Sequence, residues 1–360
     1  MRVRLEDVCE KESSKLKQSD VIDQNGMYPV YGASGYLGNI NTYQQSNYYI
    51  AVVKDGAGIG RTMLLPPESS IIGTMQYLIP KDNVLPEYLY YVVKAKHLEK
   101  YFSGATIPHI YFKDYKNEQF DLVSFEEQRE IINRLKKIEI IIENLSKNLL
   151  LLDELVKARF VEMFGDVQDA KKHSSKQLKD ICNTVTGGTP STKHAEYYNG
   201  TIPWISTVSL GPNYIDGTTA KAFITQEAVD NSSTKIIPSG SILFGTRVGV
   251  GKSSINQVEM CTNQDIVAII DLDESKYNKL YIKYVLDTYQ SYFDSIKKGA
   301  TILGISSDDL KNIYIPDASL YEQNRFEKFV KQIDKSRSRI QKSLEASQEL
   351  FDSLMQKYFG

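Results

Sequence analysis

"GATIPHIYFKDYKN" (residues 104–117) and "GATILGISSDDLKN" (299–312) are two versions of one segment. Sliding the chain by 195 positions aligns residues 104–165 with residues 299–360 without a gap, and 19 of the 62 aligned positions are identical. Weaker matches precede this region in the same order: LEDVC (5–9) and LKDIC (178–182), GIGR (58–61) and GVGK (249–252), and Thr74-x-Gln76 and Thr262-x-Gln264. The sequence therefore predicts an internal duplication of roughly 180 residues.

Each copy ends in a segment with the periodicity of a long helix. Apolar residues recur at alternating intervals of four and three, the heptad spacing of a coiled-coil seam. Both segments stop at a glycine, a usual helix end. The seam residues are Ile131, Leu135, Ile138, Ile142, Leu145, Leu149 and Leu152 in the first copy, and Val330, Ile333, Ile340, Leu344 and Phe351 in the second.

Short strand-forming runs broken by Gly and Pro precede each helical segment, as in YYIAVVKDGAGIGRTMLL (48–65) and KIIPSGSILFGTRVGVGKSSI (235–255). The predicted fold class is therefore α+β, with two mixed, β-rich domains joined by two long antiparallel helices in a pseudo-twofold internal repeat. The predicted segments are a β-rich domain at 1–124, a helix at 125–164, a linker at 165–176, a second β-rich domain at 177–319 and a second helix at 320–360.

The short linker is the reason to expect antiparallel helices. A helix of about 39 residues spans roughly 58 Å, whereas a linker of about 12 residues reaches at most roughly 42 Å. The linker cannot retrace the first helix and bring both domains to one end. We therefore expect the second domain at the far end of the first helix, with the second helix returning beside the first as a coiled coil.

The first helix also carries more apolar residues than a two-stranded coil buries. Burying apolar surface contributes about 25 cal/mol per Å², so such a face favours association. We expect it to receive helices from another protein; the alternative is that the β-rich domains fold back over it. The surplus residues are Ile132, Ile140, Ile141, Leu150, Leu151, Phe160 and Val161.

Composition excludes several classes of function. With 360 residues, 41% hydrophobic and 24% charged, the chain is expected to fold as two domains. No apolar run has the length of a membrane span and the N-terminus lacks a signal-peptide pattern, so we expect a cytoplasmic protein without a membrane partner. The three cysteines and four histidines show no metal-ligand spacing, so we expect reduced thiols and no metal site.

The charge balance is unpromising for a nucleic-acid binder, because attraction to phosphates usually leaves a basic signature. Net charge is −2. Residues 1–120 hold 13 Lys and Arg against 13 Asp and Glu, and residues 166–318 hold 15 against 17. Any DNA contact must therefore use local clusters or positive charge supplied by partner proteins.

One stretch resembles the phosphate-binding loop of an NTPase. TRVGVGKSS (246–254) ends in Gly-Lys-Ser, but Thr246 stands where the motif requires glycine, and the matching first-half stretch has Arg61 in place of Lys252. No nucleophile–base set or paired-carboxylate motif can be assembled elsewhere. We therefore expect no catalysis and no cofactor bound by this chain, with nucleotide hydrolysis as a weaker alternative.

The glycine-rich loops suit contact with DNA. Gly-x-Gly followed by a cation lets the backbone approach a phosphate, and amide or guanidinium groups can read base edges. Each candidate also has a plain alternative: the glycines could merely turn hairpins, and Trp204 could be a core residue. The candidates for DNA contact are Lys54, Arg61, Gln76, Thr106, Thr189, Ser191, Lys193, Tyr197, Trp204, Arg247, Lys252, Gln264 and Thr301.

These segments together resemble the specificity subunit of type I restriction–modification systems, over essentially the full chain. YPVYGASGYLGNI (28–40) and GGTPSTKHAEYYNGTIPWIS (187–206) are similar to the openings of two target recognition domains, and FEEQREIINRL (125–135) and YEQNRFEKFV (321–330) are similar to the starts of the family's two spacer helices.

The resemblance implies a non-catalytic DNA-recognition subunit. Each recognition domain would read one half of an asymmetric, bipartite target in double-stranded DNA, and the helices would set the spacing. Two modification subunits, adenine-N6 methyltransferases that use S-adenosylmethionine, would dock on the helices. Restriction subunits would add ATP-driven translocation and cleavage, although the sequence leaves their presence open. The rival interpretation is a helical scaffold with two β-rich protein-binding modules and no role on DNA.

Overall fold

The computed structural model describes residues 1–22, 24–104, 108–165, 175–299 and 303–360. These residues form two compact units, a first unit of residues 1–148 and 340–360 and a second unit of residues 149–339. Both contain strands and helices, so the predicted mixed fold is confirmed. Most of the predicted linker, residues 166–174, lies outside the described residues.

The first unit is built on two main sheets. The larger is antiparallel, with strand order Cys9–Ser13, Met75–Pro80, Tyr49–Val53, Thr62–Leu65. The smaller has the order Gly35–Ile40, Tyr28–Gly32, Ser70–Ile71. Arg2–Arg4 pairs with Gln119–Asp121, and the helices that precede the first long helix are Leu5–Val8, Pro86–Ala95 and Phe112–Tyr115.

The second unit also contains two main sheets and has more strands. Its larger sheet has the order Asn183–Thr186, Ile266–Ile270, Ile242–Gly245, Ser253–Asn256, Tyr214–Ile215. Its smaller sheet has the order Ala222–Ile224, Ile202–Ile205, Met260–Thr262, Ile236–Ile237, and Ser175–Gln177 pairs with Tyr314–Pro316. Its shorter helices are Gln226–Asp230, Lys279–Thr288, Gln290–Ile296 and Ser307–Lys311.

The central strand Tyr49–Val53 is fully buried because both of its faces pack against apolar side chains. Successive side chains of a strand point to opposite faces. Ile50 and Val52 face the core cluster that holds the helix Pro86–Ala95, while Tyr49 packs on the other face with Met75 and Tyr77. A strand buried on both faces reads as a continuous apolar run, which is why YIAVV stands out in the sequence.

The two long helices are Phe125–Phe164 and Leu320–Phe359, and each contributes residues to both units. All the seam residues predicted from the heptad spacing are buried or half-buried. In the second unit, Phe160 packs against Phe326 with ring centroids 5.3 Å apart, and Arg337 pairs with Asp153. Both contacts lie within the second unit.

The surplus apolar face is smaller than the sequence predicts. Ile132 and Phe160 are wrongly included in it, because they are 8% and 1% exposed and belong to the cores of the first and second units. Their own units therefore cover them. The surplus residues that stay exposed are Ile140, Ile141, Leu150, Leu151 and Val161, and Leu155 joins them at 47% exposure.

A buried glutamine anchors the start of each long helix. Gln128, 1% exposed, accepts a hydrogen bond from Leu85 N at 2.8 Å through Oε1 and donates to Val123 O at 3.0 Å through Nε2. Gln323, also 1% exposed, accepts from Asn278 N at 2.8 Å and donates to Ala318 O at 2.8 Å. In both units the amide therefore ties the long helix to the start of a shorter helix and to the chain entering the long one.

We predict that Gln128→Leu lowers the free energy of unfolding by about 1–3 kcal/mol, because it leaves the Leu85 amide without its partner inside the protein. Urea denaturation followed by circular dichroism measures the change. Asn133→Leu is the matched control, since Asn133 lies on the same helix but is exposed. Equal effects of the two substitutions would contradict the anchoring role.

Candidate nucleic-acid interface

The first tip loop, residues 54–61, connects two strands of the larger sheet in the first unit. Val53 N donates to Arg61 O at 2.9 Å, and Ile59 N donates to Gly56 O at 3.2 Å inside the loop. The Arg61 side chain is exposed and its Nη1 donates to Ala33 O at 2.8 Å. The loop therefore presents a guanidinium group whose position is held by the neighbouring turn.

The second tip loop, residues 246–252, has the same backbone pattern. Gly245 N donates to Lys252 O at 2.9 Å, and Val250 N donates to Arg247 O at 3.0 Å. Arg247 and Lys252 are exposed, and Arg247 Nη1 lies 3.7 Å from Asp265 Oδ1. Each unit thus carries one loop of the same construction with exposed cations on it.

The second tip loop is not an NTPase phosphate loop. Gly-Lys-Ser in a phosphate loop opens a helix, whose N-terminal amides bind the nucleotide. Here Lys252 leads directly into the strand Ser253–Asn256. The structure therefore agrees with the sequence, in which the glycine spacing of the phosphate-loop motif is not met.

The repeated segment, residues 104–117 and 299–312, packs beside each tip loop. Ile110 N donates to Lys54 O at 2.9 Å in the first unit, and Ile305 N donates to Thr246 O at 2.8 Å in the second. The candidates Thr106 and Thr301 lie in these segments but outside the described residues. The two copies of the segment therefore brace equivalent loops.

Asp55 and His109, which the sequence did not single out, lie at the first tip loop. His109 Nδ1 is 2.7 Å from Asp55 Oδ1, and Lys54 forms an ion pair with the same carboxylate. Burial acts to raise the pKa of Asp55, but hydrogen bonds from Lys54 and His109 outweigh it and leave this pKa below its usual value. The carboxylate is thus ionised at neutral pH and holds Lys54 in place.

In the second unit, two glycines bring Thr189 to the tip-loop region. A Cβ at Gly187 would overlap Thr262 Oγ1 and the backbone carbonyl of Asn263, so only glycine permits this close approach. Thr189 Oγ1 then donates to Gln264 Oε1 at 2.5 Å. Because Gln264 precedes Asp265, which lies beside Arg247, the structure brings three candidates, Thr189, Gln264 and Arg247, onto adjacent exposed turns.

The other candidates from residues 187–206 divide between surface and core. Ser191 and Lys193 are exposed. Tyr197 and Trp204 are only 8% and 6% exposed and share one core cluster, and Trp204 Nε1 donates to Gly188 O at 3.0 Å. The prediction of DNA contact is therefore corrected for both aromatics: their rings stabilise the loop that carries Thr189 and are not available to bases.

Gln76 also differs from its prediction. It is 2% exposed, in the strand Met75–Pro80, whose first four residues are buried on both faces, and so cannot reach a groove edge directly. Its match to Gln264 is wrong as well. In the ladders Val53 pairs with Met75 and Gly245 pairs with Ile266, so the residue in the place of Gln76 is Val267.

The described ranges contain no group of three or more His, Cys, Asp or Glu side chains placed to hold a metal ion. Nor does any helix within them have both the length and the apolar character needed to cross a bilayer.

A known protein family matches most of the chain. The family described as "Type I restriction modification DNA specificity domain" matches residues 1–151 and 171–348. These two stretches cover most of the chain and fall in both copies of the predicted duplication.

The chain is similar to the type I restriction enzyme MjaIX specificity subunit of Methanocaldococcus jannaschii, with 35% identity over 42% of this chain and 35% of that one. It is 32% identical to the EcoR124I/EcoR124II specificity subunit of Escherichia coli over 49% of this chain and 44% of that one. Each match therefore spans less than half of the relative. The S subunit from M. genitalium shares the fold, with a TM-score of 0.61 and 15% identity over 100% of this chain and 96% of that one.

We predict that Gly187→Ala lowers the free energy of unfolding by about 1–3 kcal/mol, because the added methyl group forces residues 187–189 away from Thr262 and Asn263. Gly58→Ala is the control, since a Cβ there meets nothing closer than Arg61 Cζ at 3.7 Å. Its effect should stay within about 0.5 kcal/mol. Chemical denaturation of both variants checks the prediction, and equal tolerance of the two would contradict the close-packing argument.

Proposed function

Since the chain belongs to the family of type I restriction–modification DNA specificity domains, we propose that it is the DNA-recognition subunit of such a complex. Each unit reads one half of a bipartite target in double-stranded DNA. The two halves differ in sequence, because the exposed residues of the two units differ. The chain is not an enzyme; its partners carry the chemistry.

The observation that carries this proposal is the pair of tip loops. Residues 54–61 and 246–252 have the same backbone hydrogen bonds, are braced by the same repeated segment and end in Arg61 and Lys252. Exposed cations beside close-approaching backbone are the groups that position a protein on phosphates. The neighbouring Thr189, Gln264 and Arg247 offer hydroxyl, amide and guanidinium groups suited to base edges.

The long helices are proposed to run antiparallel as a coiled coil and to fix the distance between the two half-targets. Support comes from the contacts within each unit: Asp153 with Arg337 and Phe160 with Phe326 in the second unit, and Arg134 Nη1 donating to Tyr358 Oη at 3.1 Å in the first. A helix of 40 residues spans roughly 60 Å. Such a spacer would leave unread base pairs between the two halves.

The exposed apolar side chains of the first long helix are proposed to dock two adenine-N6 methyltransferase subunits. Leu150 is 66% exposed, and Ile140, Ile141, Leu151 and Val161 are each about half exposed. Apolar residues repeated along one helix form a surface that a partner helix can cover. S-adenosylmethionine would then be bound by the partners, as would ATP if restriction subunits join. A cytoplasmic location agrees with this role.

The rival function, a protein scaffold without a role on DNA, would leave the cations of the tip loops unexplained. It predicts the same helical assembly but no dependence of binding on DNA sequence. Measuring DNA methylation separates the two directly.

We predict that a host expressing this chain with its methyltransferase partner carries N6-methyladenine in a single divided motif, and that deleting the gene for this chain removes it. Long-read methylation mapping measures the motif. Replacing residues 1–124 with the corresponding segment of another specificity subunit should change one half of the motif and keep the other. A change in both halves, or methylation independent of this chain, would argue against one unit reading one half.

We predict that Leu150→Asp combined with Leu151→Asp weakens binding of the methyltransferase subunit by at least about tenfold, because burying two carboxylates at an interface is strongly unfavourable. Both side chains are exposed, so the chain itself should fold normally. Asn144→Asp with Asn148→Asp adds the same charge at exposed positions of the same helix and is the control. Isothermal titration calorimetry compares them, and unchanged affinity of the leucine variant would rule out this docking face.

A further inference from the structure

A cavity of about 450 Å³ in the first unit has a strongly basic lining. We call it the lysine pocket. Its lining residues are Lys11, Ser13, Lys54, Gln76, Tyr111, Phe112, Lys113 and Lys116. Four of the eight are lysines and none is a carboxylate, so the pocket suits an anion.

Gln76 lines this pocket and carries an unused, buried hydrogen-bond donor. Its side chain is 2% exposed, and Nε2 has no hydrogen-bond partner among the described residues. Oε1 accepts a bond from Tyr115 Oη at 3.5 Å. A buried donor without a partner destabilises a fold, and such a donor in a cavity points to a ligand.

The second unit shows that the fold itself does not require this amide. Val267 occupies the ladder position of Gln76, and Leu310 lies 195 residues after Tyr115 in the repeat. Both Val267 and Leu310 are buried in an apolar cluster. The polar pair is therefore a feature of the first unit alone.

Two lysines of the pocket carry positive charge that no ion pair neutralises in the described part of the chain. Lys116 is paired with Glu6 at 2.8 Å and Lys54 with Asp55, but Lys11 and Lys113 have no ion-pair partner in the described part of the chain. Lys113 Nζ lies 5.3 Å from the centre of the Tyr111 ring, which holds it at the pocket.

At the positions that match Lys54, Lys113 and Lys11, the second unit has Thr246, Asp308 and Thr184. Of the four pocket lysines, only Lys116 has a matching lysine, Lys311. Positive charge has therefore been concentrated at one of the two otherwise equivalent places.

We propose that the lysine pocket binds a phosphate group. Gln76 Nε2 donates to a phosphate oxygen, and Lys11 and Lys113 supply the charge that the existing ion pairs leave free. On the proposed function, the source is the DNA backbone beside the first half-target. A free phosphorylated molecule offers the same chemistry, so the test must separate the two.

The DNA arm uses the full chain in complex with its methyltransferase subunit and a duplex carrying the methylated motif. Fluorescence anisotropy at several salt concentrations gives the slope of log affinity against log salt. Lys11→Gln with Lys113→Gln should reduce this slope by about 2, one for each lost phosphate-facing lysine. Gln76→Val should weaken binding by about three- to tenfold. Lys15→Gln with Lys17→Gln, two exposed lysines outside the pocket, should leave the slope unchanged.

The second arm uses inorganic phosphate alone. Phosphate should raise the melting temperature of the wild-type chain more than that of Gln76→Val, because the general stabilising effect of phosphate as a salt is the same for both. Without phosphate, Gln76→Val should melt close to the wild type, because it removes the unpaired Nε2 together with the acceptor of the long hydrogen bond from Tyr115 Oη. A variant that melts far lower is replaced by Lys113→Gln, which changes an exposed side chain.

The outcomes separate the two sources. Changes in both arms support a phosphate pocket occupied by DNA. A change with inorganic phosphate alone supports the pocket and overturns DNA as its source. Unchanged behaviour of folded variants in both arms overturns the proposal. If the wild-type complex shows no sequence-dependent DNA binding, the proposed function fails, and the inorganic phosphate arm still decides whether the pocket binds phosphate.

Discussion

The anchoring of each long helix by a buried amide is the constraint on which the other features depend. Gln128 and Gln323 each satisfy a backbone donor and a backbone acceptor inside their unit, where water cannot replace them. A buried polar network with every member satisfied fixes one arrangement and disfavours alternatives. The direction in which each helix leaves its unit is therefore set by hydrogen bonds as well as by apolar packing. An apolar residue there would still fill the space, but would leave the neighbouring amide unpaired.

Buried strands and bracing segments hold the candidate interface in position. In each unit a fully buried strand of the larger sheet ends at a tip loop, and the repeated segment that leads toward the long helix braces that loop from the side. The cations of the loops are thus carried between a buried strand and a hydrogen-bonded bracing segment. A side chain on such a support keeps its position without the entropy loss that a free loop would suffer on binding.

Sequence periodicity was most informative where local chemistry decides the structure. The heptad spacing predicted two long helices because packing along a helix repeats every three to four residues, whatever the partner. It could not separate seam residues from those covered by the globular parts, and so placed Ile132 and Phe160 on a free face. Trp204 and Tyr197 lie in a loop-rich stretch without periodicity, where the sequence gives no sign of which side faces the core. The match of Gln76 with Gln264 was a motif identity at the wrong register, which only the strand ladders correct.

The duplication supplies an internal reference for judging polar residues in a core. A buried glutamine with an unused donor in a single-copy protein could be an accident of folding that its neighbours tolerate. Here the second unit has Val267 at the same ladder position and Leu310 at the repeat position of Tyr115, and both belong to one buried apolar cluster. Since the two units share the sheet, the loop and the bracing segment, the requirements of the fold are common to both. The shared fold therefore does not require what one unit has and the other lacks, namely the amide of Gln76 and the unpaired charge of Lys11 and Lys113.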